Sequence, residues 1–300
     1  VARVEEFFEA AAGPVNLFSM VDSTFQLAPG VGPAAERRLW RAGVTSWDGL
    51  GELPAKTVSR GKEAPLRAGV EAAAAALERR DVDALARLLP AGEAWRLLGA
   101  FGDGAAYLDI ETGDDVFGRQ SISAIGVLDR DGPRLMLAGR DLDAFPEVAR
   151  EWSMLVTFNG LSFDVPILRR AFPEWTPPAA HVDLRHVLAR LGHHGGLKAI
   201  EDELSELRLG RPSHLRGIDG WMACGLFRRG REGDKRALRL FCEYNMYDVI
   251  NLRTLAAYAY NALVVEESAH APALAERVAP LDVPGRGDVL YDVSKILLAL

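Results

Sequence analysis

Cysteine is scarce in this chain of 300 residues: only Cys224 and Cys242 occur. A disulfide scaffold and a cysteine-rich zinc site are both excluded on that ground. No apolar run approaches the roughly 18 residues that a membrane span needs. The opening stretch from Val1 to Val15 holds three acidic residues and one Arg, the wrong charge for a secretory leader. With 29 glycines and 16 prolines the chain is too poor in both for a low-complexity protein. An excess of positive charge is lacking too. Lys and Arg number 35 against 42 Asp and Glu, a net charge of −7. That weighs against a protein that coats nucleic acid, while leaving room for a local basic track. What remains, 49% apolar and 26% charged, is ordinary globular composition, with length for one or two domains and a real core. The expectation is a soluble protein of the reducing cytoplasm, with no membrane partner.

The first local signal is Leu27-Ala28-Pro29-Gly30-Val31-Gly32-Pro33, leading into Ala34 to Ala42 and then Gly43. Pro33 suits the first turn of a helix, where its missing N–H would lack a partner anyway. Gly43 suits the left-handed stop that follows. A Gly-x-Gly turn feeding a helix start can cradle an anion, so Gly30 and Gly32 are candidate phosphate contacts; a plain tight loop is the simpler reading. With Arg37, Arg38, Arg41 and Thr45-Ser46-Trp47-Asp48, the piece resembles the hairpin and second helix of a helix-hairpin-helix motif. No first helix is evident in Asp22 to Leu27, so the motif is partial. From Glu63 to Leu98, leucines at helical spacing predict two or three helices, broken near Asp81 to Asp83 and at Pro90.

At Ala105 the period changes. Ala105 to Ile110, Ser121 to Leu128 and Arg134 to Leu137 read as strands joined by Gly- and Asp-rich turns. A helix is expected over Phe145 to Trp152, a buried strand over Met154 to Phe158 and a helix from Val165 to Ala171. Beyond Asp183 the pattern is helical: Leu184–Leu191, Leu197–Leu207, Ile218–Arg229 and a long element from Lys235 to Ala262. Strands followed by mixed helices predict an α/β domain. The division expected is a helix-hairpin-helix-like region over 1–60, a helical connector over 61–100, the α/β domain over 101–265 and a tail over 266–300.

Three acidic patches lie in that domain. In Tyr107-Leu108-Asp109-Ile110-Glu111, alternation puts Asp109 and Glu111 on one face of a strand and Leu108 and Ile110 on the other. Two such carboxylates repel, and a cation would relieve the cost, although a strand end reaching water would also carry them. In Asn159-Gly160-Leu161-Ser162-Phe163-Asp164, the Asp falls at a helix start, with Pro166 in the first turn, and capping alone would account for it. Tyr244 and Asp248 are four apart on the long helix, hence on one face; an Asp there costs helix propensity unless it is solvated or has a partner.

Taken in order, Asp-x-Glu, Asn-x-x-x-Phe-Asp and Tyr-x-x-x-Asp resemble the three motifs of the DEDDy-type 3′–5′ exonucleases of the ribonuclease H-like superfamily. The similarity runs from Ala94-Trp95-Arg96 to Tyr260 and takes in Val182-Asp183-Leu184 and Gly195-Gly196-Leu197-Lys198-Ala199-Ile200-Glu201. These features look most like the YprB-like branch. The resemblance implies a ribonuclease H-like mixed sheet flanked by helices, and two divalent cations, Mg²⁺ or Mn²⁺, held by Asp109, Glu111, Asp164 and Asp248. Such oxygen donors suit hard cations. It implies Tyr244 as the group that orients the attacking water, and Thr112, Asn159, Lys198, Arg228 and Arg229 along the substrate, a single-stranded DNA or RNA with a free 3′ end. One departure is visible: that family would have Thr-Thr-Gly after Glu111 and this chain has Thr112-Gly113, which bears on contacts to a substrate terminus. A non-catalytic nucleic-acid-binding adaptor or a related endonuclease are the alternative functions; protein partners are not indicated.

Other polar groups have simpler readings. Asn159 could orient a ligand or stabilise its turn. Asp183 reads as a helix cap. His193 and His194, adjacent and followed by two glycines, read as solvated loop histidines. The basic run from Arg228 to Arg239 precedes the helix of Tyr244 and fits either a phosphate guide or a solvated face.

Overall fold

The computed structural model describes residues 19–54, 56–114, 120–207 and 209–284. The acidic opening stretch Val1–Val15 and the end of the tail, 285–300, lie outside the described residues. At the front, Gly30 turns with φ +79° and Gly32 precedes α1 (Pro33–Arg41), with Pro33 in its first turn. The helix ends into Gly43 at φ +89°, the expected left-handed stop. Residues 22–27 form no helix. That segment is held instead by one buried carboxylate: Glu36 accepts hydrogen bonds from Thr24 Oγ1, the Phe25 N–H (2.6 Å) and Gln26 Nε2 (2.7 Å). Then come α2 (Arg60–Glu78) and α3 (Val82–Leu88). The break between them is made by Asp81, whose Oδ1 caps α3 by accepting from the Ala84 N–H at 2.9 Å. Pro90 opens a 3₁₀ stretch, Ala91–Leu97.

The sheet has five strands: β1 (Ala106–Asp114), β2 (Gln120–Asp129), β3 (Gly132–Leu137), β4 (Met154–Thr157) and β5 (Ala180–Asp183), in the order β3-β2-β1-β4-β5. The β1–β2 and β2–β3 pairs are antiparallel; β4 runs parallel to β1 and β5 parallel to β4. Between strands and helices the chain places α4 (Asp164–Ala171), α5 (Leu184–Arg190), α6 (Leu197–Glu203), α7 (Gly220–Arg231), α8 (Lys235–Ser268) and α9 (Pro272–Arg277). Leu108 and Ile110 face one layer of the core, with Phe145, Leu155, Ile167 and Leu168. The opposite face of β1 meets α8, which touches β1, β2, β3 and β4.

Three expectations need correcting. The sequence reading has no strand at β5, because four residues, three of them buried and His181 half-buried, carry no readable period. The helix expected over Phe145 to Trp152 is one α-turn, Phe145–Val148, followed by a 3₁₀ turn. The long helix continues past Ala262 to Ser268, roughly 50 Å in all at 1.5 Å per residue. Its seat on the sheet depends on Gly126, opposite Asp109 in β2. A Cβ there would lie 2.0 Å from Asn245 Oδ1 and 2.8 Å from a methyl of Val249, so only glycine admits α8 this closely. Helix α7 packs on α8 through Phe227 and Phe241, ring centroids 4.9 Å apart. Its Cys224 thiol donates to the Thr112 carbonyl at 2.8 Å, which ties α7 to the end of β1. Among the described residues, no helix is long and apolar enough to cross a membrane.

Candidate metal centre

The last half of β1 and the middle of α8 meet face to face. Strand alternation brings Asp109 and Glu111 to that contact, and one helical turn brings Tyr244 and Asp248. Carboxylate oxygens of Asp109, Glu111 and Asp248 all lie within 4.8 Å of one another. Glu111 and Asp248 are buried, while Asp109 keeps part of its surface open. The cluster therefore joins residues 137 to 139 positions apart in the chain.

Asp164 approaches from another side. β4 pairs with β1 only at Ala106 and Tyr107, after which the two strands part. The Ile110 N–H on that edge then has no strand to bond, and Asp164 Oδ1 accepts it at 3.0 Å. Asp164 is thus the first residue of α4 but not its cap; its carboxylate braces β1 beside the cluster. It is not one of the three residues whose oxygens converge, yet its charge acts on Asp109 and Glu111.

The electrostatic cost of this arrangement is large. Burial, followed by the charges of Asp248, Asp164 and Glu111, holds the Asp109 carboxyl well above the usual carboxylate range. Burial and Asp248 push Glu111 up to about 8. Burial pushes Asp164 up to about 7, against the Ile110 hydrogen bond that favours its anion. Burial and the same carboxylates raise the Tyr244 phenol, so it stays protonated at neutral pH.

Two cations answer these charges. Arg211, 7% exposed, pairs with Asp248 and grips Glu201 with two bonds of 2.8 Å. Burial opposes its charge, but Asp248 and Glu201 more than offset that and raise its pKa. Asn251 steadies Glu201 at 2.8 Å. Lys198 donates to the Tyr244 hydroxyl at 2.5 Å, and its ammonium lies 4.2 Å from the ring centroid. On the strand side, Asn245 Nδ2 donates to Asp109 Oδ2 at 2.8 Å.

Carboxylates that converge at oxygen-only positions, with Asp109 and Glu111 pushed toward protonation by burial and by their acidic neighbours, fit a hard divalent cation. Asp109, Glu111 and Asp248 are the residues that would hold it. Sequence reasoning missed Arg211, Glu201 and Asn245. Asn245 had a signal, since it lies between Tyr244 and Asp248, the two residues singled out on the long helix. Arg211 had none: it sits in a loop, 37 positions from Asp248.

The remaining candidates are spread around this centre. Asn159 adopts φ +67° at the end of β4; its N–H donates to Asp183 Oδ1 at 2.7 Å and its Oδ1 accepts from Arg185. Asp183 also accepts from the Arg185 and Leu161 N–H groups, so it caps α5 and shapes the loop before Asp164. Thr112 follows a register shift in β1 and receives Cys224. Arg228 is exposed at the far end of α7, and Arg229 pairs with Asp234, the cap of α8. The Gly30 carbonyl accepts from Lys62 Nζ at 2.5 Å, and Gly32 stands at the α1 start, both remote in sequence from the acids. His193 is not a solvated loop residue, since it bridges Glu203 (2.8 Å) and the Tyr258 hydroxyl (2.9 Å); His194 is exposed.

A mixed five-stranded sheet carrying acids on its central strand and on the last long helix defines a ribonuclease H-like α/β protein with a centre compatible with a metal-dependent nuclease. Residues 106–260 match the family model described as the RNase H superfamily, and the chain belongs to that superfamily. No curated protein and no solved structure matches the chain.

Proposed function

We propose that this protein is a metal-dependent 3′–5′ exonuclease of the DEDDy type that hydrolyses phosphodiester bonds of single-stranded DNA or RNA. The observation that carries the reading is the meeting of Asp109 and Glu111 from β1 with Asp248 and Tyr244 from α8. Asp109, Glu111 and Asp248 would hold the divalent ions, Mg²⁺ or Mn²⁺, with Asp164 supporting from the β4 side. A pair of such ions supplies an activated water and stabilises the departing 3′ oxygen. The chain supplies orientation. Lys198 donates to the Tyr244 oxygen, which leaves the phenol's own proton free to donate to a bound oxygen. A phenol whose pKa is raised is a poor base, so Tyr244 directs the nucleophile rather than deprotonating it. Asn245 and Arg211 fix the carboxylates of Asp109 and Asp248.

Exposed apolar side chains support a single-stranded substrate. Leu161 and Phe163 precede Asp164, while Trp221 (84% exposed) and Met222 begin the helix that rests on Thr112. Exposed aromatics beside an acidic centre are suited to stacking bases. Thr112, Asn159, Lys198, Arg228 and Arg229 are proposed along that substrate, with the turn at Gly30 and Gly32 as a separate phosphate contact. An adaptor reading leaves the mutual repulsion of the acids without a use. The test is a digest of matched 5′-labelled DNA and RNA oligonucleotides with Mg²⁺, Mn²⁺ and EDTA. A ladder shortening from the 3′ end is expected, absent in EDTA and reduced roughly a thousandfold in Asp109→Asn, the scale of several kcal/mol of lost charge stabilisation. Cleavage of a circular single strand would make it an endonuclease. Binding without turnover under either ion would make it an adaptor.

A further inference from the structure

Helix α7 spans two sites. Its Cys224 rests on Thr112 of β1, and seven residues on, about 10 Å of helix, comes Arg231. From β1 to β3 is two strand spacings, also about 10 Å. The length of the helix thus matches the span from β1 to the turn after β3, where Leu137 to Arg140 line one space with Gly230 and Arg231. There, between the turn after β3, the end of α7 and the start of α8, is a cavity of about 410 Å³. That volume lies within the roughly 300–1,000 Å³ typical of small-molecule sites. Leu137, Phe227 and Leu238 give it an apolar floor, and Arg140, Arg231 and Lys235 give it positive charge. Arg140 is held by Asp141 and the Leu135 carbonyl. Arg231 and Lys235 are exposed and have no ion-pair partner among the described residues. An apolar floor below free cations fits a ligand with a flat apolar part and an anionic part, which describes a nucleotide better than a bare phosphate.

We propose that this cavity seats one nucleotide of the substrate strand, upstream of the scissile bond, with base and sugar over Phe227 and Leu238 and phosphate between Arg231 and Lys235. The inference rests on the nuclease reading above and adds where the strand runs: along α7, from the acidic centre toward the edge strand β3. The basic stretch before α8 then acts on the substrate at a distance from the chemistry.

The test measures binding. In the Asp109→Asn background, fluorescence anisotropy of a labelled dinucleotide and dodecamer is recorded over a range of salt, with and without R231Q/K235Q. The dodecamer affinity is expected to fall about tenfold in the variant. Its slope of log K against log salt should shrink by about 1.4, two single-strand phosphate contacts at about 0.7 each. The dinucleotide, too short to reach both sites, should change less than about twofold. An unchanged dodecamer affinity and slope, or an equal loss for both lengths, would overturn the proposal. So would a free mononucleotide that binds as tightly as the dodecamer and loses as much, since the cavity would then be a product site. Failure of the nuclease reading shows separately, as absence of hydrolysis by the wild-type chain in either metal.

Discussion

Arg211 stands between two buried carboxylates, and removing it leaves Asp248 and Glu201 without their counter-charge. Breaking a buried pair from one side costs roughly 3–5 kcal/mol, so Arg211→Ala should lower the unfolding free energy of the metal-free protein, read from a urea titration, by an amount of that order. A divalent ion bound at Asp248 would supply part of the missing charge. Saturating Mn²⁺ is therefore expected to raise Tm more in Arg211→Ala than in wild type; an equal rise would show that Arg211 and the metal do not share Asp248. The same acids make stability depend on pH. Asp109, Glu111 and Asp164 have folded-state pKa values raised above their unfolded ones, Glu111 to about 8 and Asp164 to about 7. Between the two values the native state binds more protons than the unfolded chain, so the contribution present at low pH is lost as pH rises. His181, pushed down to about 4 by burial, acts in the opposite direction only below its unfolded value of about 6.5. From pH 6.5 to 8.5 in EDTA, Tm should therefore fall. With Mg²⁺ or Mn²⁺, which displaces those protons, the fall should shrink or vanish.

At the scale of elements, the centre exists because α8 lies almost on the backbone of β2. Gly126→Ala would drive a methyl into Asn245 and Val249, both inside the helix–sheet contact. Neither neighbour is the free end of a flexible chain, so the helix must shift. Overpacking of this kind costs typically about 1–3 kcal/mol. Because Asn245 also holds Asp109, the proposed nuclease activity should fall further than the stability loss accounts for; a variant with lowered Tm and full activity would break that link. Much of this contact was legible in the residues. The alternation in Tyr107-Leu108-Asp109-Ile110-Glu111 gave the faces of β1, and Tyr244 and Asp248 one turn apart gave the side of α8 that faces it. What was not legible depends on where elements end in space. Asp164 looked like a cap because its sequence neighbours suit one, but it bonds Ile110 because β4 diverges from β1 after Tyr107, a fact with no local signature. β5 is too short for periodicity, and Arg211 reaches its partners from a loop.

Over the whole molecule, the helical front and the ribonuclease H-like fold share one core. Apolar residues from Met20 through Leu98 pack in the same cluster as Leu252, Tyr260 and Leu263 of α8. The Met20 N–H donates to the Tyr260 hydroxyl at 3.2 Å, and Trp95 meets the Tyr260 ring edge-on. Polar links follow the same seam. Arg96, wholly buried, pairs with Glu36 on α1 and with Glu93. Near the end of α8, Glu267 accepts from Arg37 and Arg190, which lowers its pKa against the effect of burial. A tethered accessory module would show a separable core and few such crossings. The front is instead built into the fold, so the described chain should melt in a single transition despite its two kinds of architecture. Glu36→Gln is the sharpest probe of that coupling. It removes the main counter-charge of Arg96 and weakens the acceptor that gathers Thr24, Phe25 and Gln26. The expected cost is roughly 3–5 kcal/mol, the range for leaving a buried charge unpaired. That loss should appear as one lowered transition seen alike by tryptophan fluorescence, which reports Trp40, Trp47 and Trp95 of the front together with Trp152, Trp175 and Trp221 of the α/β part, and by the proposed nuclease activity. Two transitions, with activity surviving the first, would mean that the seam does not couple the halves and that the front folds as a unit of its own.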